Sequence, residues 1–243
     1  MTYCLAIKVD DGLVGVADTR LTSGNECYTA KKISVFHQQQ AACFMMSSGL
    51  RSVRDKTLTY FKNELEKQEK PCDKMYELVN LFAEQLRRVA REDKEALSES
   101  GLDFNLHCLI GGQMPKDDEH KLFMMYPQAN WVEIGEGTPY QTIGASGYGK
   151  SILDRTLKRD DSLEFAMKVG CLSFDSTRLN SSDVDFPLDV LMYKKGSFSI
   201  VEHRYAQTDL KDITQYWEGR LRHSIEIMPE SWVEHVFVKA KEA

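Results

Sequence analysis

The sequence contains no apolar run approaching the roughly 18 uncharged residues that a membrane span needs. Its first residues also lack the basic, apolar and small-residue succession of a secretory signal. These absences predict a cytoplasmic protein with no membrane partner. Basic residues are in the minority: 31 Lys and Arg against 37 Asp and Glu leave a net charge of −6, which argues against a nucleic-acid partner. The six cysteines, Cys4, Cys27, Cys43, Cys72, Cys108 and Cys171, show no paired spacing. Neither a disulfide framework nor a zinc site is expected, and reduced, mostly buried thiols fit better. The histidines form no H-x-x-x-H ligand pattern, and the adjacent His107-Cys108 pair would point to opposite faces of a strand. No internal repeat, low-complexity segment or Pro/Gly/Ser linker divides the 243 residues, so a single domain is expected and no metal or other cofactor is implied.

What is present begins with β-structure. Residues 2–9 alternate larger apolar with smaller or polar groups, Asp10-Asp11-Gly12 makes a turn, and residues 13–17 form a second apolar run. Further strands are predicted at 32–36 and 41–47. From Arg51 the period changes: Val53, Thr57, Phe61 and Leu65 share one helical face, and Met75, Leu78, Val79, Phe82, Leu86 and Val89 share another, with Lys70-Pro71 between. Strands follow at 105–111, 121–125, 131–134 and 140–143. A helix is predicted near Ser146 or Tyr148, and a second from Ser162 with Leu163, Met167, Cys171 and Phe174 as its apolar face. Strands at 188–193 and 197–202 and a helix over 208–222 complete the chain. This order is not the βαβ alternation of a parallel sheet; an α+β fold of two packed antiparallel sheets covered by helix pairs fits it. The charged stretches Asp117-Asp118-Glu119 and Lys158-Arg159-Asp160-Asp161 read as exposed turns.

The hairpin brings three elements to one end of a sheet: Thr2 before the first strand, Asp18 after the second, and Lys31-Lys32 before the next. A threonine freed of its initiator methionine carries a hydroxyl nucleophile and an α-amine whose reference pKa of about 7.7–8.0 suits a general base. A neighbouring lysine ammonium would depress the pKa of both groups, and an aspartate would hold that lysine charged and oriented. Charge alone does not separate Lys31 from Lys32.

These residues, together with Ala17-Asp18-Thr19-Arg20, Lys31-Lys32-Ile33 and Met46-Ser47-Ser48-Gly49, resemble the start of a proteasome β-type subunit, an N-terminal nucleophile hydrolase. Within that superfamily the chain most resembles the bacterial ancestral β-subunit branch, Anbu. The Met1-Thr2-Tyr3-Cys4 opening, Tyr148-Gly149-Lys150-Ser151-Ile152-Leu153-Asp154-Arg155 and Ser173-Phe174-Asp175-Ser176-Thr177 carry that likeness. The resemblance implies a four-layer αββα sandwich and a self-assembling threonine hydrolase that cleaves peptide or amide bonds in a peptide or protein substrate. It implies Thr2 as nucleophile after Met1 removal, Lys32 as its electrostatic partner and Asp18 as the residue orienting Lys32. It further implies a Ser48-Gly49 loop donating a backbone N–H to the oxyanion, and Ser146 and Asp175 as partners near the threonine amine. Thr22 and Met46 would line the substrate site. Ser48 stands where catalytic proteasome subunits usually carry glycine. Arg178 stands where a serine is usual, leaving Ser181 or Ser182 to substitute. The implied partner is a second copy of the chain, in rings or open helical arrangements, with 206–243 an extension available for assembly and any unfoldase unidentified.

Three other readings compete. The same fold could act on a small-molecule amide, or serve as a noncatalytic scaffold or binding subunit. The third rests on Gly144-Ala145-Ser146-Gly147-Tyr148-Gly149-Lys150-Ser151, which matches the phosphate-loop pattern G-x-x-x-x-G-K-S. It follows antiparallel-looking strands where a phosphate loop needs a parallel βαβ sheet, so a strand-to-helix turn is the better expectation.

Overall fold

The computed structural model describes all residues except Met1, Gly24, Asn25, Gln39, Gln40, Glu69, Glu136 and Ala243. In chain order its elements are β1 (Tyr3–Val9), β2 (Gly12–Asp18), β3 (Arg20–Ser23), β4 (Glu26–Thr29), β5 (Ile33–Gln38) and β6 (Ala41–Gly49). Then come α1 (Arg51–Lys67), α2 (Met75–Glu99), β7 (Leu106–Gln113), β8 (Lys121–Met125), β9 (Trp131–Glu133) and β10 (Tyr140–Gly144). The remainder is α3 (Lys150–Thr156), α4 (Leu163–Arg178), β11 (Leu188–Lys194), β12 (Ile200–Tyr205), α5 (Gln207–Glu226) and α6 (Ser231–Glu242).

Two five-stranded antiparallel sheets form, in the orders β10-β1-β2-β11-β12 and β5-β6-β7-β8-β9, with the short β3-β4 hairpin apart. Strand alternation divides each sheet between two cores. On β6, Ala42, Phe44 and Met46 face the opposite sheet and, with Leu109 of β7 beside them, meet Cys4, Ala6 and Leu191 there. Ala41, Cys43 and Met45 face the other way, onto Val53 and Phe61 of α1 and Leu78, Val79, Phe82 and Leu86 of α2. Each fully buried Val, Leu, Phe or Met side chain among these contributes roughly 1.5–3 kcal/mol of transfer free energy. On the far side, α4 packs on β1 and β2. The layers are therefore helices, sheet, sheet, helices: the α+β, αββα sandwich expected.

The buried face of α4 differs from the one predicted. Ala166, Val169, Gly170, Ser173, Phe174 and Thr177 are buried, while Leu163, Met167 and Cys171 are only half-buried. Small residues carry the contact because they let the helix approach the sheet; a Cβ on Gly170 would stand 3.0 Å from Val16 Cγ2. The charged turns differ as well. The Asp117 carboxylate accepts from the Met75 N–H at 3.0 Å at the start of α2, Glu119 pairs with buried Lys8 at 2.9 Å, and Arg159 pairs with Asp10 at 2.8 Å.

The chain separates into two compact units, Met1–Ala206 and Gln207–Ala243. The second holds α5 and α6 and carries exposed Ile225, Ile227, Trp232, Val236 and Phe237. Among the described residues no helix is long and apolar enough to cross a membrane.

Candidate active site

Thr2 lies half-buried where β1 begins, beside the end of β10. Its carbonyl accepts from the Ala145 N–H at 2.7 Å. Gly144 makes this approach possible: its φ is +86°, and a Cβ there would stand 1.9 Å from the Thr2 carbonyl oxygen. The next residue is tied to the other neighbour of β1, since the Tyr3 N–H donates to Asp18 Oδ1 at 2.7 Å.

Asp18 ends β2 with no solvent exposure, and the same Oδ1 accepts from Lys32 Nζ at 2.6 Å. Lys32 precedes β5 and is itself almost fully buried; its second N–H goes to the Arg20 carbonyl at 2.7 Å. Burial pushes the Asp18 carboxyl above its ordinary value, while the Lys32 charge and the Tyr3 N–H act in the opposite direction. Lys31 faces away, half-exposed and paired with Glu202 at 2.7 Å. The pleat explains the difference, because consecutive residues entering a strand point to opposite sides.

A cavity of about 560 Å3 opens beside Thr2. Arg20, Leu21, Ser48, Gly49, Asn105, His107, Met124, Thr142, Ile143 and Gly144 line it with Thr2. Ser48 and Gly49 end β6 in register with His107 and Leu106 of β7, so they belong to a strand end where a loop was expected. Gly49 has φ +136°, and a Cβ there would meet the Asn105 carbonyl oxygen at 2.1 Å. Burial lowers the His107 imidazole below its usual value. Strand alternation on β7 puts His107 on the cavity side and Cys108 in the helix-facing core, so period-two patterning already held the signal for this wall residue.

The other predicted site residues are placed less closely. Ser146 is exposed in the turn between β10 and α3. The buried Asp175 carboxylate accepts from Arg178 Nε at 2.9 Å, so the arginine in the position of the missing serine engages it. Ser181 is buried, and its hydroxyl has no partner among the described residues. Met46 is fully buried between the sheets and does not line the cavity, because its strand position faces the opposite sheet. The Thr22 side chain lies outside the described residues.

The phosphate-loop pattern starts at the last residue of an edge strand, β10, antiparallel to β1, and runs through a turn into a helix of seven residues. Lys150 Nζ donates to the Tyr140 hydroxyl at 3.0 Å and pairs with Asp154 at 3.4 Å, which commits it to the protein. Among the described residues no group of three His, Cys, Asp or Glu side chains is placed to hold a metal ion.

The proteasome subunit family matches residues 2–184. Among solved structures, the chain is similar to Anbu from Yersinia bercovieri, with 30% identity, a TM-score of 0.85, and coverage of 93% of this chain and 98% of that one. Anbu from Hyphomicrobium sp. strain MC1 shares 28% identity over 94% and 98% of the two chains with a TM-score of 0.84. The Anbu complex from Pseudomonas aeruginosa, described as a helical assembly, shares 27% identity over 93% and 97% with a TM-score of 0.87. No curated protein matches in sequence. With three-quarters of its length matched by the family and nearly all of it superposed on these structures, the chain belongs to the proteasome subunit family, in the Anbu branch.

Proposed function

We propose that the protein is an N-terminal threonine hydrolase that cleaves peptide or protein amide bonds through an ester on Thr2. Removal of Met1 leaves Thr2 with a free α-amine. As the Thr2 hydroxyl attacks the substrate carbonyl, the amine takes its proton, and the tetrahedral oxyanion accepts from the N–H at Gly49. The amine then returns the proton to the leaving nitrogen as the C–N bond breaks. Water, deprotonated by the same amine, hydrolyses the ester and regenerates Thr2. Lys32 has three N–H donors, of which Asp18 and the Arg20 carbonyl take two, leaving one for the Thr2 hydroxyl oxygen. An oxyanion donor of this kind is commonly worth about 3 kcal/mol.

The observation that carries this reading is the buried Lys32–Asp18 pair, 2.6 Å apart, whose carboxylate accepts from the N–H of Tyr3, the residue after Thr2, with Thr2 itself lining a cavity. Burying two charges costs several kcal/mol per ion, and a site that needs a fixed ammonium beside residue 2 accounts for keeping it. The test is a peptide electrophile directed at threonine. Mass spectrometry is expected to locate the adduct on Thr2, with Thr2→Ala unmodified; an unlabelled wild-type protein favours the scaffold reading instead. Hydrolysis of peptides of varied length against small amides separates the peptidase from the amidase.

Assembly of identical subunits is proposed alongside, with residues 207–243 as the assembling element. Trp232 and Ile225 are about two-thirds exposed at 67% and 68%, a state that apolar helix faces seldom keep without a partner. The helical assembly of the P. aeruginosa protein supports the same view. The five free cysteines described, four of them buried, suit a cytoplasmic setting.

A further inference from the structure

The turn that carries Ser146 is tied at both ends to the start of the chain: directly to Thr2 and, through Ser173 of α4, to Tyr3. At its start, the Ala145 N–H donates to the Thr2 carbonyl at 2.7 Å. At its end, the Gly149 carbonyl accepts from the Ser173 hydroxyl at 3.0 Å, and that hydroxyl in turn accepts from the Tyr3 hydroxyl at 2.7 Å. Tyr3 and Ser173 have no solvent exposure, and the Tyr3 ring also packs against Phe174 with centroids 6.1 Å apart. Strand alternation explains the reach: with Cys4 facing the inter-sheet core, Tyr3 must face α4. Burial raises the phenol above its ordinary value, so it remains a proton donor.

The link leaves no slack. A Cβ on Gly149 would stand 2.2 Å from Ser173 Oγ and 2.4 Å from the Ser173 carbonyl oxygen, so the turn sits directly on α4. The Tyr3 backbone N–H meanwhile binds the Asp18 oxygen that holds Lys32. Tyr3, the residue after Thr2, therefore connects three parts: the lysine–aspartate pair, α4 and the turn.

We infer that Tyr3 and Ser173 are positioning residues which, through the Gly149 carbonyl, fix the Ser146 turn relative to the Thr2 amine during acyl transfer. The inference rests on the nucleophile reading above. Tyr3→Phe removes one oxygen and leaves the ring packing intact. It is expected to lower the maximal rate of Thr2 modification by the peptide electrophile by roughly five- to tenfold, the size of one buried hydrogen bond, with half-saturation unchanged. A purely structural role would change the folded fraction and leave that split flat. Backbone amide exchange at residues 145–149 is expected to speed up in the same variant while α2 stays protected. Gly149→Ala, which breaks the link from its other end, is expected to give the same two changes.

A Tyr3→Phe protein with wild-type modification rate and wild-type exchange at 145–149 overturns the inference. Failure of the nucleophile reading is recognised separately, because the wild-type protein is then itself unmodified at Thr2. In that event exchange decides the tether alone: faster exchange at 145–149 upholds it, and unchanged exchange overturns it.

Discussion

Removing both members of the Lys32–Asp18 pair should cost less than the sum of removing each alone. The two side chains are 3% and 0% exposed and 2.6 Å apart. At an effective dielectric of 20 their direct attraction is about 6 kcal/mol, against which stands the cost of taking both out of water. Asp18→Leu leaves an ammonium with only the Arg20 carbonyl and strands the Tyr3 N–H, for an expected loss of about 4–6 kcal/mol. Lys32→Met leaves a carboxyl that burial already drives toward protonation, so its expected loss is smaller, about 2–3 kcal/mol. In the double variant the stranded N–H remains but no buried charge does. Its loss should fall at least about 2 kcal/mol short of the sum of the single losses. Urea unfolding followed by circular dichroism at pH 7 reads this directly. Additivity within about 0.5 kcal/mol would refute the claim that the two charges are held by each other. All three variants should fail to modify Thr2, whereas Lys31→Ala, which loses only its half-exposed pairing with Glu202, should retain modification.

The buried His120 imidazole, 2.8 Å from the Val9 carbonyl, is pushed down to about 4 by burial. Between that value and the unfolded value of about 6.5 the unfolded chain binds one more proton. Stability therefore falls on acidification through this window, by about 3 kcal/mol in all, and His120→Gln should flatten the decline. Gly144→Ala forces a side chain into a left-handed conformation and against the Thr2 carbonyl; it should cost at least about 2 kcal/mol and abolish modification of Thr2, as measured by urea unfolding and mass spectrometry. Trp232→Ser combined with Phe237→Ser on α6 should lower the sedimentation coefficient of the native protein while leaving the circular dichroism of the 1–206 unit intact.

Large apolar residues in a clear period made most of the fold legible. Every residue assigned to the apolar face of α2 is buried, and β8 occupies the residues expected. Legibility failed where small or polar residues set the structure. The β3-β4 hairpin has strands of four residues with mixed polarity, so it gives no period to read. The last strand begins at Ile200 where 197 was expected, because Gly196 at φ +72° and the Ser197 N–H bonded to the Lys194 carbonyl make a turn first. The final helix of the chain, α6, was not expected; it begins after Pro229, beyond the helix predicted over 208–222. At the site, the hairpin's order announced Asp18 and a lysine, and strand geometry separates Lys32 from Lys31. The Tyr3–Ser173 bond joins residues 170 apart in sequence, and local pattern holds no trace of such a pairing.

The proposed mechanism requires Thr2 to be the first residue of the mature chain. The direct measurement is N-terminal sequencing with intact mass on protein purified without an N-terminal tag, in its assembled native form. The mature chain is expected to begin at Thr2 and to lack the mass of one methionine. Quantitative retention of Met1 would contradict it, because an amide nitrogen at Thr2 cannot accept the proton that the mechanism assigns to the amine.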